Sequence, residues 1–267
     1  MFKQLRQIFQ PRPKTSPPAV PAGERYYAIG DIHGRLDLFE ALIAGIEADD
    51  AAAGQAQTTI ILLGDLVDRG QDSAGVITRT RAWQDERKVR VLTGNHEEMF
   101  LQTFDDIEVL RHFLKHGGRE TIMSYGLTTK QFNAMTLEEL HSALPQIVSE
   151  EEREYIAGFE DMIIVGDYVF VHAGIDPIVA LNEQKPRDLR WIRDRFLSHQ
   201  GPLEKVVVHG HTIFPKVMDC GNRIGIDTGA FRSGVLTALV LEGQEKRVLQ
   251  AIDEDGSIEI FNEDRAQ

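Results

Sequence analysis

Five apolar runs in this chain end on side chains that can bind a cation. The first closes in GDIHG (residues 30–34), the second in GDLVDRG (residues 64–70) and the third in GNHE (residues 94–97). Two later runs close in VFVHAG, which carries His172, and in VVVHGH, which carries His211. A carboxylate at the end of a buried run is costly unless a cation or a hydrogen-bond network compensates it. Asp31, His33, Asp65, Asn95, His96, His172 and His211 offer oxygen and imidazole donors with no thiolate among them, a set suited to manganese, iron or zinc. They are too many for one tetrahedral ion, whereas two ions sharing a bridging carboxylate would use them all. The glycines beside them let the backbone turn sharply out of each run and approach the site closely.

The elements that must position these residues show in the periodicity. YYAIGD reads as a short strand, and Leu36, Phe39, Leu42, Ile43 and Ile46 follow it at helical spacing. TIILLGD is a second strand, SAGVITRTRAWQDE a helix and KVRVLTGNHE a third strand. This alternation predicts a parallel sheet with helical crossovers, in which ligands bind beyond the carboxyl ends of the strands. Residues 98–158 predict a mostly helical insert, broken at HGG and at SYGLTTKQF. DMIIVGDYVFVHAG predicts a hairpin turning at Gly166 and Asp167. KVVVHGH, NRIGIDTGA, VLTALVLEG, KRVLQAID and SIEIF complete a strand-rich C-terminal half. His209, two residues before His211, points to the opposite side of its strand. His112, His116, His141 and His199 fall in helical or polar segments and are expected to face solvent.

With 267 residues, 42% of them hydrophobic, the chain can bury a substantial core in one large domain or two small ones. A net charge of −13 disfavours a nucleic-acid surface, because basic stripes dominate that affinity. It still permits a phosphate site whose positive charge comes from metal ions. No apolar run is long enough to span a bilayer, and MFKQLRQIFQ lacks the apolar core and cleavage site of a secretory signal. The single cysteine, Cys220, excludes an internal disulfide, fits a reducing cytoplasmic compartment and reads as a half-buried apolar filler. Residues 10–23 hold five of the ten prolines, so residues 1–23 are read as a disordered or Pro-rich arm and 24–267 as one catalytic domain.

At these motifs the chain resembles the phosphoprotein phosphatase family of binuclear metallophosphoesterases, especially its compact bacterial and phage members. The signature GDxHG, GDxxDRG, GNHE, a following HAG and a later GH is present without a gap, over about residues 26–240. The resemblance implies an α/β fold, a metallophosphoesterase-type β-sandwich core flanked by helices. It implies that Asp31, His33 and Asp65 hold one ion, and that Asp65, Asn95, His172 and His211 hold the second, with Asp65 bridging. His96 would pair with Asp68 and protonate the leaving group, and Arg69 would bind phosphate. Arg193, in LRWIRDRF, is assigned the place of a second phosphate-binding arginine, with Arg187, Arg190 and Arg195 as competitors.

The implied reaction is in-line displacement at phosphorus by water activated between two divalent ions, manganese first, with iron and zinc as alternatives. The expected substrate is phosphoserine or phosphothreonine in a protein. The alternative is a dinucleoside polyphosphate. Hydrolases of that kind often carry a cysteine after the first GDxxG motif, where this chain has Arg35. A phosphoprotein or a phosphorylated small molecule is thus the expected partner, without nucleic acid and without stable membrane insertion. A scaffold that had lost its activity would be expected to lack a ligand, and none is missing.

Overall fold

The structure is a computed structural model and describes residues 16–263. The first strand, β1 (Glu24–Ile29), is buried along almost its whole length and leads through Gly30 and Asp31 to α1 (Leu36–Ala52). Leu38, Phe39, Leu42, Ile43 and Ile46 form the buried stripe of α1. β2 (Gln57–Leu62) follows, then α2 (Ser73–Glu86) and β3 (Val89–Val91). Asp72 caps α2 by accepting a hydrogen bond from the Gly75 amide at 2.8 Å. The three strands are parallel, with Tyr27 opposite Ile60 and Ile60 opposite Val89. The expected parallel unit is therefore present.

The insert consists of α3 (Asn95–Gln102), α4 (Ile107–Phe113), α5 (Arg119–Ser124), α6 (Thr129–Ala134), α7 (Leu137–Ile147) and α8 (Glu150–Ala157). The expected break at HGG is a kinked turn, Leu114–Gly118, in which Gly117 has φ +105°. The second expected break is only partial. The chain leaves α5 at Ser124, and Thr128 then starts α6 with a capping box completed by Gln131.

The hairpin turns at Gly166 as expected, joining β4 (Ile163–Val165) to β5 (Tyr168–Phe170). The arginine-rich stretch folds into two short helices, α9 (Pro186–Trp191) and α10 (Asp194–Leu197). β6 (Val206–His209), β7 (Met218–Asp219) and β8 (Arg223–Gly225) come next. A single turn, α11 (Ala230–Ser233), then leads to β9 (Val235–Glu242), β10 (Glu245–Glu254) and β11 (Ser257–Asn262).

Two sheets result. One has the order β11-β10-β9-β1-β2-β3, the other β4-β5-β6-β8-β7. The expected parallel unit accounts for β1–β3, and β5, β6 and β8 of the second sheet are also parallel to one another. β9 joins β1 antiparallel, Tyr27 opposite Val240, and tight turns then add β10 and β11 antiparallel in sequence. Between the sheets lies an apolar layer of Tyr26, Ala28, Ile61 and Leu63 from one side and Phe170, Val208 and Ile224 from the other. A second core packs α1, α2 and the insert on the outer face of the six-stranded sheet. A third packs Leu189 and Phe196 of α9 and α10 against Val169 and Val207.

The placed chain starts before β1. Residues 1–15 of the expected arm lie outside the described residues, but Val20 is buried in the layer between the sheets. Its amide donates to the Gly243 carbonyl at 2.9 Å, and the Asp167 amide donates to Ala19. The packed chain thus extends upstream of Glu24 at least to Pro18, since AVP supplies an apolar side chain that prolines alone would not. Cys220 is exposed rather than half-buried. Among the described residues no helix is long and apolar enough to cross a membrane.

Candidate metal centre

Every donor singled out in the sequence reaches one place, the C-terminal edge where the two sheets meet. Asp31 follows β1, Asp65 follows β2, and Asn95 and His96 open α3 after β3. His172 follows β5 and His211 follows β6. All six are buried, as is His33. His33, Asp65 and His211 stand in left-handed backbone, with φ of 48°, 52° and 62°, which turns each side chain back toward the edge.

Two groups of potential ligand atoms form, each with its atoms within 4.8 Å of one another. They are His33, Asp65 and His96, and Asp65, His172 and His211. Asp65 belongs to both. The imidazoles are aimed by their far nitrogens. Nδ1 of His33 meets the Val67 carbonyl at 2.8 Å, and Nδ1 of His172 meets the Leu63 carbonyl at 2.8 Å. Each Nδ1–H is spent on a backbone oxygen, so Nε2 faces Asp65, at 3.5 Å for His33 and 3.3 Å for His172. Asn95 Oδ1 lies 3.0 Å from His172 Nε2. Asp31 belongs to neither group of three and accepts from the His211 amide at 3.1 Å.

The electrostatics of this edge are those of acceptors gathered round too little positive charge. Burial raises the pKa of Asp31 well above the usual range, and the Asp227 carboxyl beside it adds to the shift. Burial and neighbouring Asp65 likewise contribute to lifting Asp227 to about 6. Burial opposes the charged form of His172, yet Asp65 outweighs it and lifts the group to about 10. Burial would also raise Asp65, but the neighbouring His172 and His96 hold it well below the usual range. His33 is pushed well below its usual value, first by burial. A convergent set of carboxylates and imidazoles, with two carboxyls pressed together, fits divalent cations in chemistry and in number.

Beside these groups stand the polar residues expected to handle phosphate and proton. Nδ1 of His96 meets Asp68 Oδ2. Burial opposes the charged form of His96, while Asp65 and Asp68 raise its pKa. Arg69 places one terminal nitrogen 2.8 Å from His33 Nε2 and the other 2.9 Å from His96 Nε2. Its guanidinium lies over the Phe231 ring, 4.6 Å from the centroid. Arg193 Nε donates to His211 Nε2 at 3.0 Å. Of its competitors, Arg190 is held by Glu98 and Asp161 and Arg195 pairs with Asp176, while Arg187 lines a pocket with Lys185 and Trp191. His209 is buried away from the site between Phe196 and Phe214, and His112 and His116 are exposed. His141 and His199 are half-buried rather than solvated.

Three residues of the site were not singled out from the sequence. Glu97, fully buried, accepts from the amides of Asp65, Leu66, Val67 and Gly94 at 2.8 to 3.2 Å and so shapes the loop after β2. Burial, with Asp65 next to it, lifts its pKa to about 7. Asp227 ends the apolar run of NRIGID, the same pattern that marks Asp31 and Asp65. Thr121 arrives from the insert, and nothing in its local sequence points to the site.

Comparison with known proteins agrees with this geometry. A profile of the calcineurin-like phosphoesterase family matches residues 24–233. The chain is 28% identical over 236 residues to an asymmetrical bis(5'-nucleosyl)-tetraphosphatase of Bacillus velezensis, covering 79% of this chain and 87% of that one. It is 28% identical over 216 residues to serine/threonine-protein phosphatase 1 of Salmonella typhimurium, covering 79% and 89%. It is 42% identical over 182 residues to a symmetrical bis(5'-nucleosyl)-tetraphosphatase of an Acidovorax species, covering 68% of this chain and 50% of that one. The fold is shared with the cold-active protein-tyrosine phosphatase of a psychrophilic Shewanella, at a TM-score of 0.53 and 16% identity over 91% of this chain and 83% of that one. With the family profile covering residues 24–233 and every donor described above, the chain belongs to the calcineurin-like phosphoesterases.

Proposed function

We propose that the chain hydrolyses phosphomonoesters with two divalent cations held on either side of Asp65. The observation that carries this reading is that the two donor groups share Asp65 while Arg69 reaches one group and Arg193 the other. Asp31, His33 and Asp65 would hold one ion, and Asp65, Asn95, His172 and His211 the other, manganese being the first choice. When bound, such ions supply Lewis acidity and an acidified water for in-line displacement.

The chain's own residues supply the rest. Arg69 presents paired donors that match phosphate oxygens, and Arg193 adds another. His96 keeps Nδ1–H toward Asp68, so Nε2, which here accepts from Arg69, is the atom that would carry a proton to the departing oxygen once Arg69 turns to the phosphate. Asp65 and Asp68 favour the charged imidazole, which keeps that proton available.

As first substrate we assign phosphoserine or phosphothreonine in a protein. Arg35 supports this choice. It binds Asp37, Asp253 and the Ala230 carbonyl, and forms with Arg69 and Phe231 the wall of an open pocket of about 750 Å³. That pocket has room for the residues flanking a phosphorylated side chain. One observation favours a dinucleoside polyphosphate instead. A pocket of about 500 Å³ is lined by Trp191, Lys185 and Arg187, next to Arg193 in the chain. Trp191 is 39% exposed, and Lys185 and Arg187 make no ion pair among the described residues. An aromatic ring and two uncommitted cations suit a base and additional phosphates. The names of several relatives point the same way. Manganese-loaded protein should be compared on a phosphothreonine peptide and on diadenosine tetraphosphate. A preference of more than tenfold for the dinucleotide would replace the first assignment with the second.

A further inference from the structure

Asp68 is a fully buried carboxylate in left-handed backbone, φ +76°, and Arg69 after it has φ +70°. Neither conformation is one that an L residue keeps without surrounding support. The support comes from the insert, more than forty positions along the chain. The Thr121 hydroxyl accepts from the Asp68 amide at 2.8 Å and donates to Asp68 Oδ1 at 2.6 Å. Ser73 Oγ lies 3.0 Å from both the Asp68 amide and Thr121 Oγ1. The Arg69 amide donates to the Gly117 carbonyl at 3.0 Å. Gly117 must be glycine for this contact, since a Cβ there would stand 2.6 Å from the Arg69 nitrogen.

The polarity of this chain of bonds is fixed by counting protons. Thr121 has one hydroxyl proton, and at Asp68 Oδ1 it meets an oxygen that can only accept when ionised. Ser73 must then donate to Thr121. The other carboxylate oxygen of Asp68 accepts from His96 Nδ1. Bonds therefore run in one direction, Ser73 to Thr121 to Asp68, while His96 donates to Asp68 from the far side. Ser73, Thr121 and Asp68 are fully buried and His96 nearly so, leaving water little access to replace a missing partner.

We infer that Thr121 is a positioning residue for the proton donor: it fixes the Asp68 carboxylate so that His96 holds its proton on Nδ1 and turns Nε2 to the leaving group. The inference rests on the assignment of His96 as general acid. The insert thereby becomes part of the catalytic apparatus as well as a wall of the cleft. Thr121→Val keeps the side-chain shape and removes all three hydrogen bonds of the hydroxyl, two with Asp68 and one with Ser73. Thr121→Ser keeps the bonds and drops a methyl group.

The test compares turnover of phenyl phosphate, whose leaving group needs a proton, with that of p-nitrophenyl phosphate, whose leaving group needs little help. Thr121→Val should lower the first about tenfold or more and the second less than about threefold, with wild-type metal content. Thr121→Ser should recover most of the loss. In a His96→Asn background Thr121→Val should add nothing further, because the two act through one proton. Equal losses on both substrates, or failure of serine to rescue, would reduce Thr121 to a packing role and overturn the inference. His96→Asn measured in parallel separates the possible failures. Without a leaving-group bias there, the acid assignment falls and the inference with it; with a bias there and none in Thr121→Val, only the inference falls.

Discussion

On the six-stranded sheet four site residues stand in left-handed backbone, namely His33, Asp65, Asp68 and Arg69; on the five-stranded sheet only His211 does. Four such residues within two loops would cost several kcal/mol on the order of 1–2 each if nothing held them. They are held by backbone partners. Glu97 gathers the amides after β2, Asp65 O accepts from the amides of Ile32 and His33, and the Gly70 amide donates to His33 O. The five-stranded sheet contributes with less strain, one histidine at the end of each of two strands. Its residues then reach across the seam, the His172 ring to the Leu63 carbonyl and the His211 amide to the Asp31 carboxylate. One half of the centre is thus made rigid by its loops, and the other is docked onto it.

The largest effect should fall on the residue that both halves share. Asp65→Asn is expected to bring p-nitrophenyl phosphate turnover down to that of chelated wild type, and manganese should restore only the wild type. Elemental analysis showing two ions retained, together with substantial turnover, would mean that the halves do not meet at Asp65. Next in size are His33→Ala and His172→Ala, one from each half. Each should lose a single ion and leave the other; loss of both from either variant would show the two groups to be one cooperative unit.

The third effect is selective. His96→Asn should lower phenyl phosphate turnover by roughly 10²–10⁴-fold, and that of p-nitrophenyl phosphate far less, with both ions bound. The smallest concerns the layer that docks one half on the other. Val20 is buried between the sheets, and Val20→Ala should cost about 2 kcal/mol of stability with turnover unchanged at low temperature. A denaturation curve superimposable on wild type would show that the segment before β1 contributes nothing to the seam.

The comparison also explains what could be read from the sequence. GDIHG, GDLVDRG and GNHE are dense because strained loops need glycines and fixed polar partners at adjacent positions, and dense motifs stand out. His172 and His211 are visible only as strand-end histidines, and they became persuasive through their order behind the others. Asp227 obeys the same rule as Asp31 but stands in NRIGIDTGA without a histidine or a second carboxylate to draw attention. Arg193 could be narrowed to one stretch of chain, since four arginines share it. The contact of Arg193 with His211, and the pairing of Arg190 with Glu98 and Arg195 with Asp176, separate them. Thr121 could not be found at all, because its role depends on a contact between residues 53 positions apart. The antiparallel half of the six-stranded sheet was hidden for a similar reason. Short strands announce themselves by composition, but the choice of neighbour is made by the whole chain.

That choice of neighbour governs how the protein is born. β1, which delivers Asp31, leaves the ribosome well before β9, the strand beside it, with Tyr27 opposite Val240. While the intervening residues are being synthesised, β1 can pair with β2 on one side only and shows an open edge on the other. Nascent chains should therefore spend much of translation exposing an apolar strand edge, the kind of surface on which chains associate wrongly and which chaperones cover. A chain ending before Val235 would contain every donor from Asp31 to His211 and still be expected to aggregate rather than assemble the centre. Covering the open edge of β1 is thus left to β9, which follows every donor in the chain.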